Sequence, residues 1–266
     1  MRAVFRHEVS SYFTNVTGYV FGAFLLLFAG IYTMACNLRS GYTNFEYVLG
    51  SMSFVFLVIV PILTMKVIAE EKRQKTDQLL YSLPLSMTRV VLGKYLALLV
   101  VFAVPMVIVC LYPIVLGAFG SVYLPAAYSA IFGFYLLGAA LIAIGMFISS
   151  ITESQAVAAG LCFVVMLLNY FITSLASYAS TTAASSLLAF TVLVLVIGGV
   201  FRLMTRSGFA SVVLMLILEG LLLVGFLLDS SAYEGLFPEI MEQLSLFDRF
   251  YDFVYDIFDL GSVVYF

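Results

Sequence analysis

The chain has 266 residues, 64% of them hydrophobic and 10% charged, with a net charge of −3 and a mean hydropathy of +1.13. A water-soluble domain of this length cannot bury that much apolar surface, so composition excludes a soluble globular protein and makes lipid the solvent. The modest net charge matters less than where the charges fall.

In chain order, residues 1–15 are amphipathic. Phe5, Val9, Tyr12 and Phe13 share one face, while Arg2, Arg6 and His7 lie elsewhere. This pattern predicts a helix along a membrane surface leading into the first span. The apolar run that follows, Gly18 to Cys36, is longer than a signal-peptide core and no A-x-A site follows it, so it reads as an uncleaved span. Hydrophobic windows then predict spans over 18–36, 47–67, 95–117, 126–149, 156–176, 185–201 and 209–228. The expected fold is an all-α, polytopic membrane bundle with a single transmembrane domain over 1–266. The ending Gly261 to Phe266 resembles the start of another apolar helix, so an eighth span is expected beyond it.

Between the spans, residues 66–94 form a basic loop holding six of the twelve cations: Lys66, Lys72, Arg73, Lys75, Arg89 and Lys94. With the N-terminus inside, ten of the twelve cations lie inside and only Arg39 and Arg249 outside, so the positive-inside rule predicts a cytoplasmic N-terminus. That orientation places the acidic segment 229–260 outside. Its Phe237, Ile240, Met241, Leu244, Phe247, Tyr251, Val254 and Phe258 recur at helical spacing, which predicts amphipathic helices along the outer interface or capping the bundle.

Motifs for chemistry are missing. The Gly93-Lys94 pair runs into Tyr95 and makes no phosphate loop, and no H-E-x-x-H, G-x-S-x-G or paired-histidine cluster occurs. No catalytic residue, metal site or cofactor is expected on this chain, and no nucleic-acid partner. Cys36, Cys110 and Cys162 read as apolar helix residues. Glu219, midway along the seventh span, is the one carboxylate expected in the hydrocarbon, as a packing group or as a residue of a transport path. Asn169 in the fifth span reads as interhelical glue.

The basic loop carries the strongest pattern. Ile68 to Gln78 lacks Gly and Pro and favours helix, which continues through Leu79 and Leu80 until Pro84 interrupts it. Acidic residues Glu70, Glu71 and Asp77 lie among the cations. A topology anchor needs only a few cations, whereas a structured helical hairpin of both signs suits a docking surface.

The sequence Ile68-Ala69-Glu70-Glu71-Lys72-Arg73, then Thr76-Asp77-Gln78-Leu79-Leu80-Tyr81-Ser82-Leu83-Pro84, then Val91-Leu92-Gly93-Lys94-Tyr95, resembles the loop after the second span in ABC-2 type permeases, closest to the gliding-motility and copper-processing subgroup. The run Phe147 to Ala156 is similar to that family's link between its fourth and fifth spans. The likeness covers about residues 1–175 and the last twenty residues, and departs over 177–235, where an extra hairpin with spans at 185–228 is expected as an insertion. The resemblance implies the membrane subunit of an ATP-driven exporter in a bacterial plasma membrane. ATP and Mg would be bound by a cytoplasmic ATPase dimer, with a second permease copy or a related subunit completing the path through the bilayer. Residues Glu70, Glu71, Lys72, Arg73, Thr76, Asp77, Leu79, Leu80, Leu83 and Pro84 would dock the ATPase. Thr152, Glu153, Ser154 and Gln155 would make a second contact, and 1–15 would be the family's elbow helix. The alternatives are an ion-coupled carrier or channel using Glu219, and a membrane scaffold that tethers proteins through the basic loop.

Overall fold

The computed structural model describes residues 2–75, 86–205, 207–255 and 260–266. Every regular element among the described residues is helical, with no strand among them. Seven helical stretches are long and apolar enough to cross a membrane: Val16–Arg39, Glu46–Gln74, Met87–Gly117, Leu124–Ile151, Gln155–Tyr178, Ala183–Arg202 and Gly208–Leu228. Each contains the core of one expected span.

The helices are α1 (Arg2–Thr14), α2 (Val16–Thr33, continued by a π-turn over Met34–Arg39), α3 (Glu46–Met52), α4 (Phe56–Thr64), α5 (Ala69–Gln74), α6 (Met87–Val109), α7 (Tyr112–Gly117) and α8 (Leu124–Ile151). They continue as α9 (Gln155–Tyr178), α10 (Ala183–Thr205), α11 (Gly208–Leu228), α12 (Leu236–Gln243), α13 (Leu246–Val254) and α14 (Leu260–Tyr265). Besides the first, two of the spans are composite. The second consists of α3, a short 3-10 turn, α4 and α5, and the third of α6 and α7. Pro113, which has no N–H to donate, sits in the first turn of α7 just beyond the break at Cys110 and Leu111.

The third span starts at Met87, so Arg89 and Lys94 belong to its helix and not to the loop expected there. That loop is correspondingly shorter. Residues Thr76, Asp77, Leu79, Leu80, Leu83 and Pro84, expected to dock a partner, lie outside the described residues.

The chain forms two compact units. The first comprises 1–170 with 246–266. Its centre is a chain of phenylalanines: Phe21 against Phe102, Phe102 against Phe56, Phe56 against Phe134 at 4.4 Å between centroids, and Phe134 against Phe250. Edge-on and tilted ring pairs of this kind add about 0.5–1.5 kcal/mol each beyond area burial. Gly138 on α8 admits the Phe102 and Phe56 rings, and two further glycines of α8 admit other groups. A Cβ at Gly133 would lie 2.7 Å from the Phe253 ring, and one at Gly145 would meet the Thr64 side chain.

Of the two outcomes expected for the amphipathic C-terminal segment, α13 takes the packed one. Leu246, Phe247, Phe250, Phe253 and Val254 are buried, and the helix lies against α3 and α8. Its first amide, Leu246 N, donates to Asn169 Oδ1 of α9 at 3.3 Å, so Asn169 caps a helix end.

The second unit, 171–245, contains the α10–α11 hairpin of the expected insertion. The two helices approach at Gly198, whose missing side chain makes room for Met215, and Ser211 Oγ donates to Gly198 O at 2.5 Å. Tyr233, in the turn after α11, returns to donate to Leu222 O and stands edge-on to Phe190 and Phe226.

Candidate functional site

The second span stops being helical after Thr64 and resumes at Ala69. Inside lipid every backbone donor and acceptor needs a protein partner, so such a break survives only where side chains supply them. Here three other elements do so. Tyr12 of α1 donates its hydroxyl to Leu63 O at 3.0 Å. Lys94 of α6 donates to Val67 O at 3.2 Å. Ser149, near the end of α8, accepts from Ile68 N at 3.3 Å and Ala69 N at 3.1 Å, and donates to Met65 O at 3.3 Å. A hydroxyl has one proton and two lone pairs, and Ser149 uses all three.

Lys94 is the hub. Its ammonium also donates to Glu8 Oε1 of α1 and Glu71 Oε1 of α5, each at 2.6 Å. The Lys94 side chain is 3% exposed, against 15% for Glu8 and 25% for Glu71. Three donors of one ammonium thus meet three acceptors, in α1, α5 and the break between α4 and α5, which leaves no unsatisfied buried proton. Tyr12 sits beside this cluster, and burial together with the Glu8 charge pushes its phenol well above the ordinary tyrosine range.

The α5 helix is thereby attached to the bundle on two sides. Glu71 ties it to α6, and Lys72 Nζ donates to Ser150 O in the last turn of α8, where a cation also complements the helix dipole. Its outer face is different. Arg73 pairs with Glu70 at 2.8 Å, and the Arg73 side chain is 61% exposed. Gln74 also donates to Glu70. The helix ends at Lys75, which adopts the left-handed conformation with φ 57° and closes the last turn through its N–H to Lys72 O.

The short link expected as a second contact follows directly on Ser150. Thr152 and Gln155 are half-buried and Glu153 and Ser154 exposed, with Ser154 O accepting Ala158 N to start α9. The fold therefore brings Lys72 of the basic loop to the residues flanking Thr152–Gln155. Glu219 lies elsewhere, in the second unit, where Thr191 Oγ1 of α10 donates to its Oε1 at 2.8 Å. Among the described residues no group of three His, Cys, Asp or Glu is placed to hold a metal.

Glu8, Tyr12 and Ser149 are the site residues that sequence reasoning missed. Glu8 and Lys94 are 86 residues apart, so no local pattern pairs them. One signal was present. Lys94 falls on the α6 face that carries Val90, Ala97, Leu98 and Val101, all buried. A cation within a buried stripe requires a carboxylate from another element.

Seven apolar helices with these composite spans define a multi-pass membrane protein, and its transport class follows from comparison with known families. The model of the ABC-2 family transporter proteins matches residues 3–254, and the chain belongs to that family. No curated protein and no solved structure matches it.

Proposed function

We propose that this chain is the permease subunit of an ATP-driven exporter, of the gliding-motility and copper-processing subgroup, and that a separate cytoplasmic ATPase drives it through α5 and the residues after it. The family supports the transport role. The charge distribution supports a cytoplasmic N-terminus and basic loop in a bacterial plasma membrane, and a second permease copy or related subunit completes the path.

The observation that carries the coupling reading is the two-sided attachment of α5: Glu71 to Lys94 of the third span, and Lys72 to Ser150 of the fourth. A helix that merely anchored topology would need neither contact. A push on α5 reaches the ends of two further spans through short, charge-assisted bonds, and reaches α1 through Glu8. The docking face is then Glu70 and Arg73 with Thr76, Asp77, Leu79, Leu80, Leu83 and Pro84, and Thr152–Gln155 adds a smaller contact. Glu71 and Lys72 hold the docking helix in its seat.

Co-purification tests this reading. A tagged permease, co-expressed with a candidate cytoplasmic ATPase of the same organism, retains that ATPase in mild detergent. The exposed-face variant Glu70→Lys/Arg73→Glu inserts normally and loses it. Undiminished ATPase recovery with that variant removes the docking assignment. The ion-coupled reading rests on Glu219 alone, and its hydrogen bond to Thr191 supports a packing role for that carboxylate.

A further inference from the structure

An apolar cleft of about 330 Å³ opens between the second and third turns of α6 and the last turns of α8. Val91, Leu92 and Tyr95 line one wall, and Met146, Phe147 and Ser150 the other. Leu92 and Phe147 are 45% and 53% exposed, so the cleft opens sideways from the bundle and not into its core. On a membrane span, that side meets lipid.

One cation stands at its Ser150 end, and a second precedes its lining residues on α6. Lys72 donates to the carbonyl of Ser150, a lining residue, and this contact uses one of its three ammonium protons. Arg89 is exposed and lies one turn before Leu92, hence on the same face of α6. An apolar slot with a lysine and an arginine at its membrane-surface end is the complement of one anionic phospholipid. The larger cleft, of about 540 Å³, contrasts with it. That cleft is lined by Thr33, Leu38, Tyr112 and Phe119 among others, none of them charged, so it offers no headgroup preference.

We propose that the α6–α8 cleft is a binding site for an anionic phospholipid, with an acyl chain between Leu92 and Phe147 and the phosphate held by Lys72 and Arg89. The site needs no ATPase and no particular direction of transport. It stands or falls independently of the docking reading.

The chain contains no tryptophan, so Phe147→Trp makes a single reporter inside the cleft. The variant is reconstituted in vesicles of phosphatidylcholine and phosphatidylglycerol in which one lipid or the other carries brominated chains. Brominated phosphatidylglycerol is expected to quench the reporter more than its mole fraction predicts, by roughly fivefold in relative affinity per cation. Adding Arg89→Gln or Lys72→Gln lowers that preference, and both together abolish it. A second reporter, Phe119→Trp in the uncharged cleft, is expected to show no preference. Equal quenching by the two lipids at the first reporter overturns the proposal. So does an equal preference at both reporters, which would mean general enrichment of anionic lipid around the protein. Should Phe147→Trp fail to fold, Leu92→Trp places the reporter on the opposite wall.

Discussion

Lys94 and Glu71 meet at 2.6 Å, the ammonium at the start of the third span and the carboxylate on the short helix that ends the second. Glu8 completes the cluster from the N-terminal helix at the same distance. The pairing divides the acidic residues of the basic loop into two kinds. Glu70 pairs within α5 with the exposed Arg73, and Glu71 spends its charge on the bundle.

Removing the hub separates these roles. Lys94→Met leaves Glu8 and Glu71 facing each other in a poorly solvated site. Breaking such a pair costs roughly 3 kcal/mol, reduced here because both carboxylates keep some water. A drop in thermal midpoint of several degrees in nanodiscs is expected. The double variant Lys94→Met/Glu71→Leu recovers part of the loss, and no recovery would mean the two side chains act independently.

Ser149→Ala removes the partner of two backbone amides and one carbonyl at once. Each unsatisfied buried group costs about 1–3 kcal/mol. The expected readout is local, as faster amide exchange at Ile68 and Ala69 with exchange in α13 unchanged. Unchanged protection at Ile68 would show that the break is held by other groups.

Tyr12→Phe deletes the hydroxyl that serves Leu63 O, at a cost of about 1 kcal/mol. The folded phenol is pushed above its unfolded value, which is about 10. Its contribution is therefore fully present below that pH and is lost as pH climbs toward the folded value. Thermal midpoints of the wild type and Tyr12→Phe should keep a constant gap through neutral pH, and that gap should narrow above about pH 10.

The seven spans were legible because hydropathy alone specifies them, and each expected core falls inside an observed helix. The break at 65–68 was not legible. Met65-Lys66-Val67-Ile68 contains neither Gly nor Pro, and the break is held by Tyr12, Lys94 and Ser149 from distant parts of the chain. The C-terminal segment shows the same limit. Its amphipathic period is plain in Phe247, Phe250 and Val254, yet period alone does not say whether that face meets lipid or protein. Gly133 decides it by leaving room for Phe253, and a single glycine in an apolar run gives no sign of that partner.

Gly133→Leu tests that packing. The new side chain would occupy the place of the Phe253 ring, so α13 is expected to lose its seat while the seven spans still insert. Limited proteolysis within 246–254 should become faster by an order of magnitude, and unaltered resistance would mean α13 is held mainly by α3.

Glu219→Gln keeps a hydrogen-bonding partner for Thr191 and removes the titratable group. If the carboxylate is packing, stability and flux stay unchanged across pH, whereas Glu219→Leu weakens the hairpin by about 1 kcal/mol. A pH-dependent loss of flux in Glu219→Gln alone would return Glu219 to the transport path.

The whole account requires α5 to face the compartment where ATP is hydrolysed. In a cysteine-free background, Gln74→Cys places one thiol at the exposed end of that helix. A membrane-impermeant maleimide should leave it unlabelled in intact cells and label it fully once the membrane is opened. Labelling in intact cells would contradict the account, because no internal ATPase could then act on the helix that Lys94 and Ser150 hold.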